Sequence, residues 1–323
     1  MKLNENNFKK ILDKNYSFEN YPKVALALSG GPDSMCLFFL LRNWCKIVNG
    51  ELVVLIINHN LRNESLSEAK EINKYIKKLN IHSKIISVNK NKIKNKSMNE
   101  TRNNRYNLLT SYCSKNNLLH LFVAHQRDDD IETFVTRKVS GSDFEGLGSI
   151  KLISTRDKIN IIRPLLFFSK LDILKFNSKN NIPFILDPTN TNLNYTRASV
   201  RNFLKNTSKK NVNQINNEYL LIKKNMKYYH EIITKILFEI ILEIKLNKIS
   251  INYENFYSLN ILIQDKIIQK VYNFLNHKKT FLRSSKIEGA INKIKEPYFR
   301  SYNLKGMAIE KREKTLLFKK KAN

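Results

Sequence analysis

A charge-free apolar run, Val24-Ala-Leu-Ala-Leu28, leads into Ser29-Gly30-Gly31-Pro32-Asp33-Ser34 and out into a second apolar run, Met35-Cys-Leu-Phe-Phe-Leu-Leu41. The first run reads as a buried parallel strand and the second as a helix packed on a sheet. The glycines between them let the backbone turn sharply and approach a ligand closely. The N–H groups of such a turn and the N-terminus of the next helix converge on one spot, which favours an anion. The bare reading is a phosphate cradle at the carboxyl end of a first strand, in an α/β fold.

The cradle is not a Walker A loop, since no Gly-Lys-Ser/Thr closes it, nor is it Gly-x-Gly-x-x-Gly. It holds no lysine and carries a carboxylate, Asp33. A carboxylate beside a triphosphate makes sense if a divalent cation bridges the two. The bland alternative is a tight turn in which Ser34 or Asp33 caps a helix. Ser-Gly-Gly-x-Asp-Ser after a hydrophobic strand resembles the PP-loop of ATP pyrophosphatases, which split ATP into AMP and pyrophosphate and adenylate a substrate oxygen.

Further strands are expected over Leu52–Ile57, Ile81–Val88, Leu118–Ala124 and Ile159–Ile162, with helices between them. Five strand–helix alternations predict a five-stranded parallel sheet with helices on both faces. From about residue 209 the alternation stops. Ile215, Tyr219, Ile222, Met226, Tyr229, Ile233 and Ile236 repeat at four-three spacing, one long amphipathic helix. More helix is expected to about residue 276 and over 284–294, then a hairpin from Leu304 to Lys320. This divides the chain into an α/β domain over 1–208 and a smaller, mainly helical one over 209–323.

The net charge is +29, and residues 205–323 alone hold 25 basic against 10 acidic residues. A polyanion is the expected partner, and RNA is the natural candidate beside a nucleotide site; the alternative is a solvated lysine surface. Cys36, Cys45 and Cys113 form no C-x-x-C pair, which speaks against zinc and against a disulfide framework. No apolar run is long enough to span a membrane, and residues 1–20 lack a signal-peptide core, so a cytoplasmic protein is expected.

Polar clusters recur just past the strands, where open α/β sheets bind ligands. Asn58 and His59 follow the second strand; on spacing alone His59 reads as a turn histidine. Arg102 and Arg105 share a helix face suited to phosphate, or simply to water. The fourth strand runs into His125-Gln126-Arg127-Asp128-Asp129-Asp130. Three aspartates at a helix start favour the dipole there, but at this edge they could also hold Mg²⁺ or act on an amine. Ser140–Gly148 reads as a flexible loop. Arg197 and Arg201, four apart, share a face near the start of another helix.

With Asn58-His59-Asn60-Leu61-Arg62, Thr101-Arg102-Asn103-Asn104-Arg105-Tyr106, Ala124-His125-Gln126-Arg127-Asp128-Asp129, Arg163-Pro164-Leu165-Leu166 and Asp187-Pro188-Thr189-Asn190 added to the loop, residues 24–201 resemble the tRNA(Ile)-lysidine synthase family. The C-terminal part matches in kind only. The resemblance implies an ATP- and Mg²⁺-dependent ligase. It would adenylate the C2 oxygen of the wobble cytidine of tRNA(Ile) with a CAU anticodon. Free L-lysine would then displace AMP to give lysidine. It implies that 1–208 is the catalytic domain and 209–323 a basic tRNA-binding domain, with no membrane; whether the chain forms a homodimer stays open.

Carried over, Ser29, Gly30, Gly31, Pro32, Asp33, Ser34, Asn58 and His59 would line the nucleotide. Asp33 and Asp129 would hold the metal. Arg102, His125, Asp128 and Asp129 would act at the reaction centre with Asp33, and Arg197 and Arg201 would meet RNA. Gln126 stands where the family usually has a second histidine, Asp130 replaces a usual glutamine, Ser140 and Asp143 interrupt an Arg-Gly-Ser-Gly segment, and Ala198 replaces an asparagine. The competing readings are a tRNA thiolase, an amidating ligase acting on a small metabolite, and a basic RNA-binding module without activity.

Overall fold

Strands buried on both faces read as unbroken apolar runs, and here the two faces can be told apart residue by residue. In the computed structural model, which describes residues 2–58, 65–87, 98–185, 196–276 and 282–320, β1 is Lys23–Leu28 and β2 is Glu51–Asn58. Val24, Leu26, Leu28, Leu52, Val54 and Ile56 point into one core, shared with helices α1 (Glu5–Asn15), α2 (Pro32–Ile47) and α3 (Ser65–Lys78). The alternate residues Ala25, Val53 and Leu55 point the other way, against Tyr106, Leu109 and Cys113 of α4 (Met98–Lys115). Helices thus cover both faces. All three cysteines are free and buried.

The other strands of this sheet are β3 (His82–Ser87), β4 (His120–Phe122), β5 (Ile153–Arg156) and β6 (Ile159–Ile162), in the order β3-β2-β1-β4-β6-β5. The sheet therefore has six strands rather than the five expected, and the extra one, β5, runs antiparallel to β6. Its sequence, Ile-Ser-Thr-Arg, lies half-exposed on an edge and lacks the apolar run that marks the buried strands. After β1 the chain crosses to β2 on one side, and β4 pairs with β1 on the other. The strand order thus reverses between β1 and β4, and a crevice at their carboxyl ends is the place where such sheets take ligands.

Helix α5 (Arg127–Val139) follows β4, and α6 (Phe144–Leu147) follows α5. A short 3-10 turn over Pro164–Phe167 leads to α7 (Lys170–Lys179), then come α8 (Thr196–Asn206) and α9 (Lys209–Ile240). The expected loop over 140–148 is thus partly helical: Asp143 caps α6 by accepting from Gly146 N at 2.8 Å. Arg137 clamps the segment by donating to the carbonyls of Gly146 and Ser149.

The chain divides into two compact units, Met1–Ile222 and Lys223–Asn323, with the boundary inside α9. In the second unit the helix expected to run to residue 276 stops at Ile240. Strands β7 (Ile241–Lys245) and β8 (Lys248–Asn252) replace it, because Leu-Glu-Ile-Lys alternates with a strand's period of two. Helices α10 (Tyr253–Ser258), α11 (Ile261–Asn276) and α12 (Ser284–Ile294) follow, then β9 (Ser301–Leu304), β10 (Met307–Arg312) and β11 (Thr315–Lys320). The expected hairpin is present as β10 and β11, within a five-stranded antiparallel sheet ordered β7-β8-β11-β10-β9. Ile249, Ile251, Met307, Ile309, Leu316 and Phe318 from that sheet share a core with Ile267, Val271, Leu275, Ile287 and Ile291 of α11 and α12. No helix is long and apolar enough to cross a membrane among the described residues.

Candidate active site

Each side chain at the β1–β4 crevice is placed by local backbone demands. Gly30 holds φ +82°, which L side chains rarely adopt, and a Cβ there would lie 2.3 Å from Ile72 Cδ1. Gly31 is the N-cap of α2 and Pro32 opens the helix, so the loop's N–H groups end at a helix N-terminus. Ser34 closes the turn. Its Oγ donates to the Gly31 carbonyl at 3.0 Å, accepts from Ser29 N at 3.3 Å, and lies 3.1 Å from Ser29 Oγ. Two outer braces fix the loop: Ile185 N donates to the Gly30 carbonyl at 2.9 Å, and Asn177 Nδ2 of α7 donates to the Pro32 carbonyl at 2.9 Å.

Across the crevice, the three consecutive aspartates do three different things. Asp129 accepts from Gln126 N at 3.1 Å while the Gln126 side chain accepts from Asp128 N at 2.6 Å. That reciprocal cap starts α5, so Gln126 works as a capping residue. Asp130 is fully buried and accepts from Ile150 N at 2.6 Å and Tyr219 Oη at 2.8 Å. It ties α9 and the 149–150 segment to α5. Asp128 accepts from Lys170 N at 2.8 Å.

Lys170 connects the two sides. Its ammonium lies 2.5 Å from Asp33 Oδ1, so one residue at the start of α7 holds the loop carboxylate by its side chain and the α5 carboxylate by its backbone. Neither Lys170 nor Asn177 stood out in the sequence. Lys170 follows the Arg163–Leu166 motif closely, and a lysine four residues past that turn was the available signal.

Glu132 and Arg201 add a second pair. Arg201 Nε and Nη2 reach the two Glu132 oxygens at 2.7 and 3.1 Å, and the Glu132 side chain is only 4% exposed. The Glu132 hydrogen bonds, and beyond them the charges of Asp129 and Asp33, hold the Arg201 pKa above its ordinary value against partial burial. The guanidinium thus feels carboxylates from both sides of the crevice. A cleft of about 420 Å³ opens here, lined among others by Arg127, Asp128, Glu132, Arg201 and Lys205. The loop residues Ser29–Ser34 are not in its lining.

Arg102 and Arg105 do share a face, as the spacing predicts. Both guanidiniums lie over the buried Tyr106 ring, at 5.9 and 5.3 Å from its centroid, with Arg156 at 5.8 Å. Burial alone would raise the Tyr106 pKa; the charges of Arg163, Arg105 and Arg102 outweigh it and hold the phenol below its ordinary value. Arg137 titrates below its ordinary value through burial and the neighbouring Arg102. Asn58 is buried at the end of β2, opposite Ser87 of β3. His125 lies half-buried just past β4. His59, the Asp187–Asn190 motif and the side chains of Arg197 and Ala198 lie outside the described residues.

Hard oxygen donors suit a cation such as Mg²⁺, which needs one or two carboxylates when phosphates and water complete its shell. Asp33 already draws a cationic group, the Lys170 ammonium, so the donor set fits. No cluster of three or more His, Cys, Asp or Glu side chains that could hold a metal occurs among the described residues.

A protein-family profile described as a PP-loop domain matches residues 2–208. Similar proteins include the tRNA(Ile)-lysidine synthase of Orientia tsutsugamushi (strain Boryong), 37% identical over 189 residues, which cover 58% of this chain and 43% of that protein. The tRNA(Ile)-lysidine synthase of Wolbachia pipientis wMel is 38% identical over 200 residues, covering 61% and 46%. The chain thus matches somewhat under half the length of these relatives. Among solved structures, the U34-tRNA thiolase NcsA from Methanococcus maripaludis superposes with a TM-score of 0.57 at 19% identity, covering 70% of this chain and 79% of that one. That likeness speaks for the fold.

Proposed function

The chain belongs to the PP-loop domain family, and on that premise we propose that it is an ATP-dependent ligase that forms lysidine on the wobble cytidine of tRNA(Ile). The observation that carries the reading is the juxtaposition, through Lys170, of the loop aspartate Asp33 and Asp128 of α5. The identity to tRNA(Ile)-lysidine synthases supports it.

The chemistry explains why two carboxylate-bearing edges must meet. The C2 oxygen of cytosine is a poor leaving group. In the first step it attacks the α-phosphorus of ATP, the bond to pyrophosphate breaks, and the oxygen becomes part of an adenylate. The loop N–H groups and the hydroxyls of Ser29 and Ser34 cradle the departing pyrophosphate. Asp33 and Asp129 would hold Mg²⁺, which offsets phosphate charge when bound. Arg102 would meet the anionic intermediate and His125 would act at the reaction centre, and Asn58 and His59 would serve the nucleotide.

In the second step the ε-amine of lysine attacks C2 and AMP leaves with the former C2 oxygen. The amine, with a pKa near 10.4 in water, must first lose a proton. Asp128, which lines the 420 Å³ cleft beside the acidic Glu132, is the carboxylate assigned to take it. Residues 1–208 would carry the catalysis and 209–323 the basic tRNA contacts. Arg201 would reach RNA only from within its pair with Glu132, and Arg197 would lie four residues before it. Cytoplasmic tRNA is the expected partner.

Thiolation fits less well. Burial pushes the Cys45 and Cys113 thiols up to about 12 and Cys36 higher still, and it is the thiolate that carries sulfur chemistry. Incubation with ATP, Mg²⁺, labelled lysine and total tRNA, followed by nucleoside mass spectrometry, tests the proposal. Lysine-bearing cytidine is expected; a thiolated nucleoside, or no change in the tRNA, would overturn it.

A further inference from the structure

We propose that the second unit reads unpaired RNA nucleotides on one aromatic and cationic face built from α10, the segment after α12, and the end of β10 with the turn that follows it. The proposal rests on the reading that the chain acts on tRNA and names the surface that grips it.

Three separated stretches converge there. Tyr253 N donates to the Lys314 carbonyl at 2.8 Å, which seats α10 on the β10–β11 turn. Lys311 N donates to the Arg300 carbonyl at 3.0 Å, which seats the segment after α12 on β10. The side chains then interleave. The Lys311 ammonium lies 3.7 Å from the Tyr253 ring centroid, the Tyr253 and Tyr257 rings are 5.7 Å apart at 39°, and the Lys295 ammonium lies 5.8 Å from the Tyr257 ring. Tyr257 is 49% exposed, and Tyr298, three residues past Lys295, is 95% exposed. Arg300, two residues further on, is exposed as well.

An aromatic ring left almost wholly in water gives the fold little, but it offers a surface on which any base can stack. Alternating rings and cations is the arrangement that binds single-stranded nucleic acid: rings take bases and ammonium groups take the phosphates between them. The surroundings have the matching sign, since residues 223–323 hold 22 basic against nine acidic residues. Of the acids next to these residues in sequence, Glu296 is paired with Lys293 at 2.8 Å and Glu310 with Lys319 and Arg312 at 3.1 Å each, while Glu254 and Glu313 are exposed.

The test is binding of total tRNA to the full chain, as a function of salt. Tyr257→Ala and Tyr298→Ala should each weaken binding about five- to a hundred-fold with the salt slope unchanged, because base stacking is lost and no phosphate contact is. Lys295→Ala and Lys311→Ala should each reduce the log–log slope by about 0.7–0.9. Lys46→Ala, an exposed charge on the first unit, is the control and should change neither. Tyr298→Ala guards against misfolding, since that ring packs on almost nothing. Tyrosine variants that bind like the wild type, a chain that binds no tRNA, or an equal loss of affinity for polyglutamate would each overturn the proposal. Failure to form lysidine with RNA binding and its tyrosine dependence intact would overturn the catalytic reading alone.

Discussion

Asp33 and Asp128, on the first turns of two different helices, are held by one residue: Lys170 meets Asp33 Oδ1 with its ammonium at 2.5 Å and Asp128 Oδ2 with its backbone N–H at 2.8 Å. The two contacts can be removed separately. Lys170 is the first residue of α7 after the cap Ser169, where proline fits a helix and its missing N–H leaves no helical bond unmade. Ser169 is extended, as a residue before proline must be. Lys170→Ala removes only the half-exposed ion pair and should cost less than about 1 kcal/mol. Lys170→Pro also removes the bond to Asp128 and should cost roughly 1.5–3 kcal/mol more, the range for a hydrogen bond to a charged acceptor. Urea denaturation of both variants checks this. ATP–pyrophosphate exchange should fall further in the proline variant, because Asp128 then loses its anchor beside the loop.

The glycines of the loop separate in the same way. Gly30→Ala forces a left-handed residue and pushes on Ile72. The isoleucine tip can move, so the backbone is the main cost, about 1–3 kcal/mol. Gly31 has φ −72°, and a Cβ there meets only Ser29 Oγ at 3.6 Å. Gly31→Ala should melt within a few degrees of the wild type, while Gly30→Ala melts clearly lower. If both lose pyrophosphate exchange, the loss at position 31 reports ligand contact rather than folding.

These contrasts show what the sequence could and could not disclose. Val24–Leu28 and Leu52–Ile57 were legible because strands buried on both faces carry no polar residue. Ile153–Arg156 was not, because an edge strand with one wet face carries ordinary polar residues. Nor were Leu242 and Ile244, whose strand begins without a break where the apolar stripe of α9 ends. At the site, the local motifs were legible and their partners were not. Asp128, Asp129 and Asp130 look alike in a row, yet only folding assigns one to Lys170, one to a helix cap and one to Tyr219. Likewise the pairing of Arg201 with Glu132 joins two helices that no spacing rule connects.

That pairing makes its own prediction. Arg201→Ala would leave the Glu132 carboxylate buried without its fork of donors, and removing one partner of a buried pair is strongly destabilising. Because the arginine is itself 41% exposed, water can partly replace it, and a loss of about 2 kcal/mol is expected rather than the full range for dry pairs. Adding Glu132→Gln to Arg201→Ala should restore part of the stability, as a double-mutant cycle by chemical denaturation would show. If Arg201 also touches RNA, the double variant will recover stability without recovering tRNA affinity.

Asp130→Ala should be the most damaging of the aspartate changes. It would strand Ile150 N–H and the Tyr219 hydroxyl, both now bonded to a fully buried carboxylate. Burial and the Asp130 charge push the Tyr219 pKa upwards, so the phenol stays a donor throughout the ordinary pH range. Each buried group left unpaired costs roughly 1–3 kcal/mol, so thermal unfolding should begin well below that of the wild type. Asp130→Asn keeps one acceptor oxygen and should lose less.

Acid should loosen the same region through Asp172, three residues past the α7 cap. Its carboxylate accepts from Ser169 N at 2.9 Å and from Ser169 Oγ at 2.6 Å. Slight burial would raise its pKa, but these hydrogen bonds from Ser169, with the charge of Arg127, outweigh it and hold the pKa below the ordinary value of 3.8. A carboxyl group with a lowered folded pKa contributes fully above its unfolded pKa and loses that contribution as pH falls through the folded one. Asp172 therefore supports α7 fully at neutral pH and ceases to do so only as the pH drops below about 4. Asp172→Asn should lower stability at pH 7 by about 1 kcal/mol, the usual worth of a helix cap. The difference from the wild type should shrink as the pH falls below about 4 and on through the lowered pKa of the native carboxyl. A difference that stays constant from pH 7 to pH 3 would show that the amide disturbs packing, not the cap.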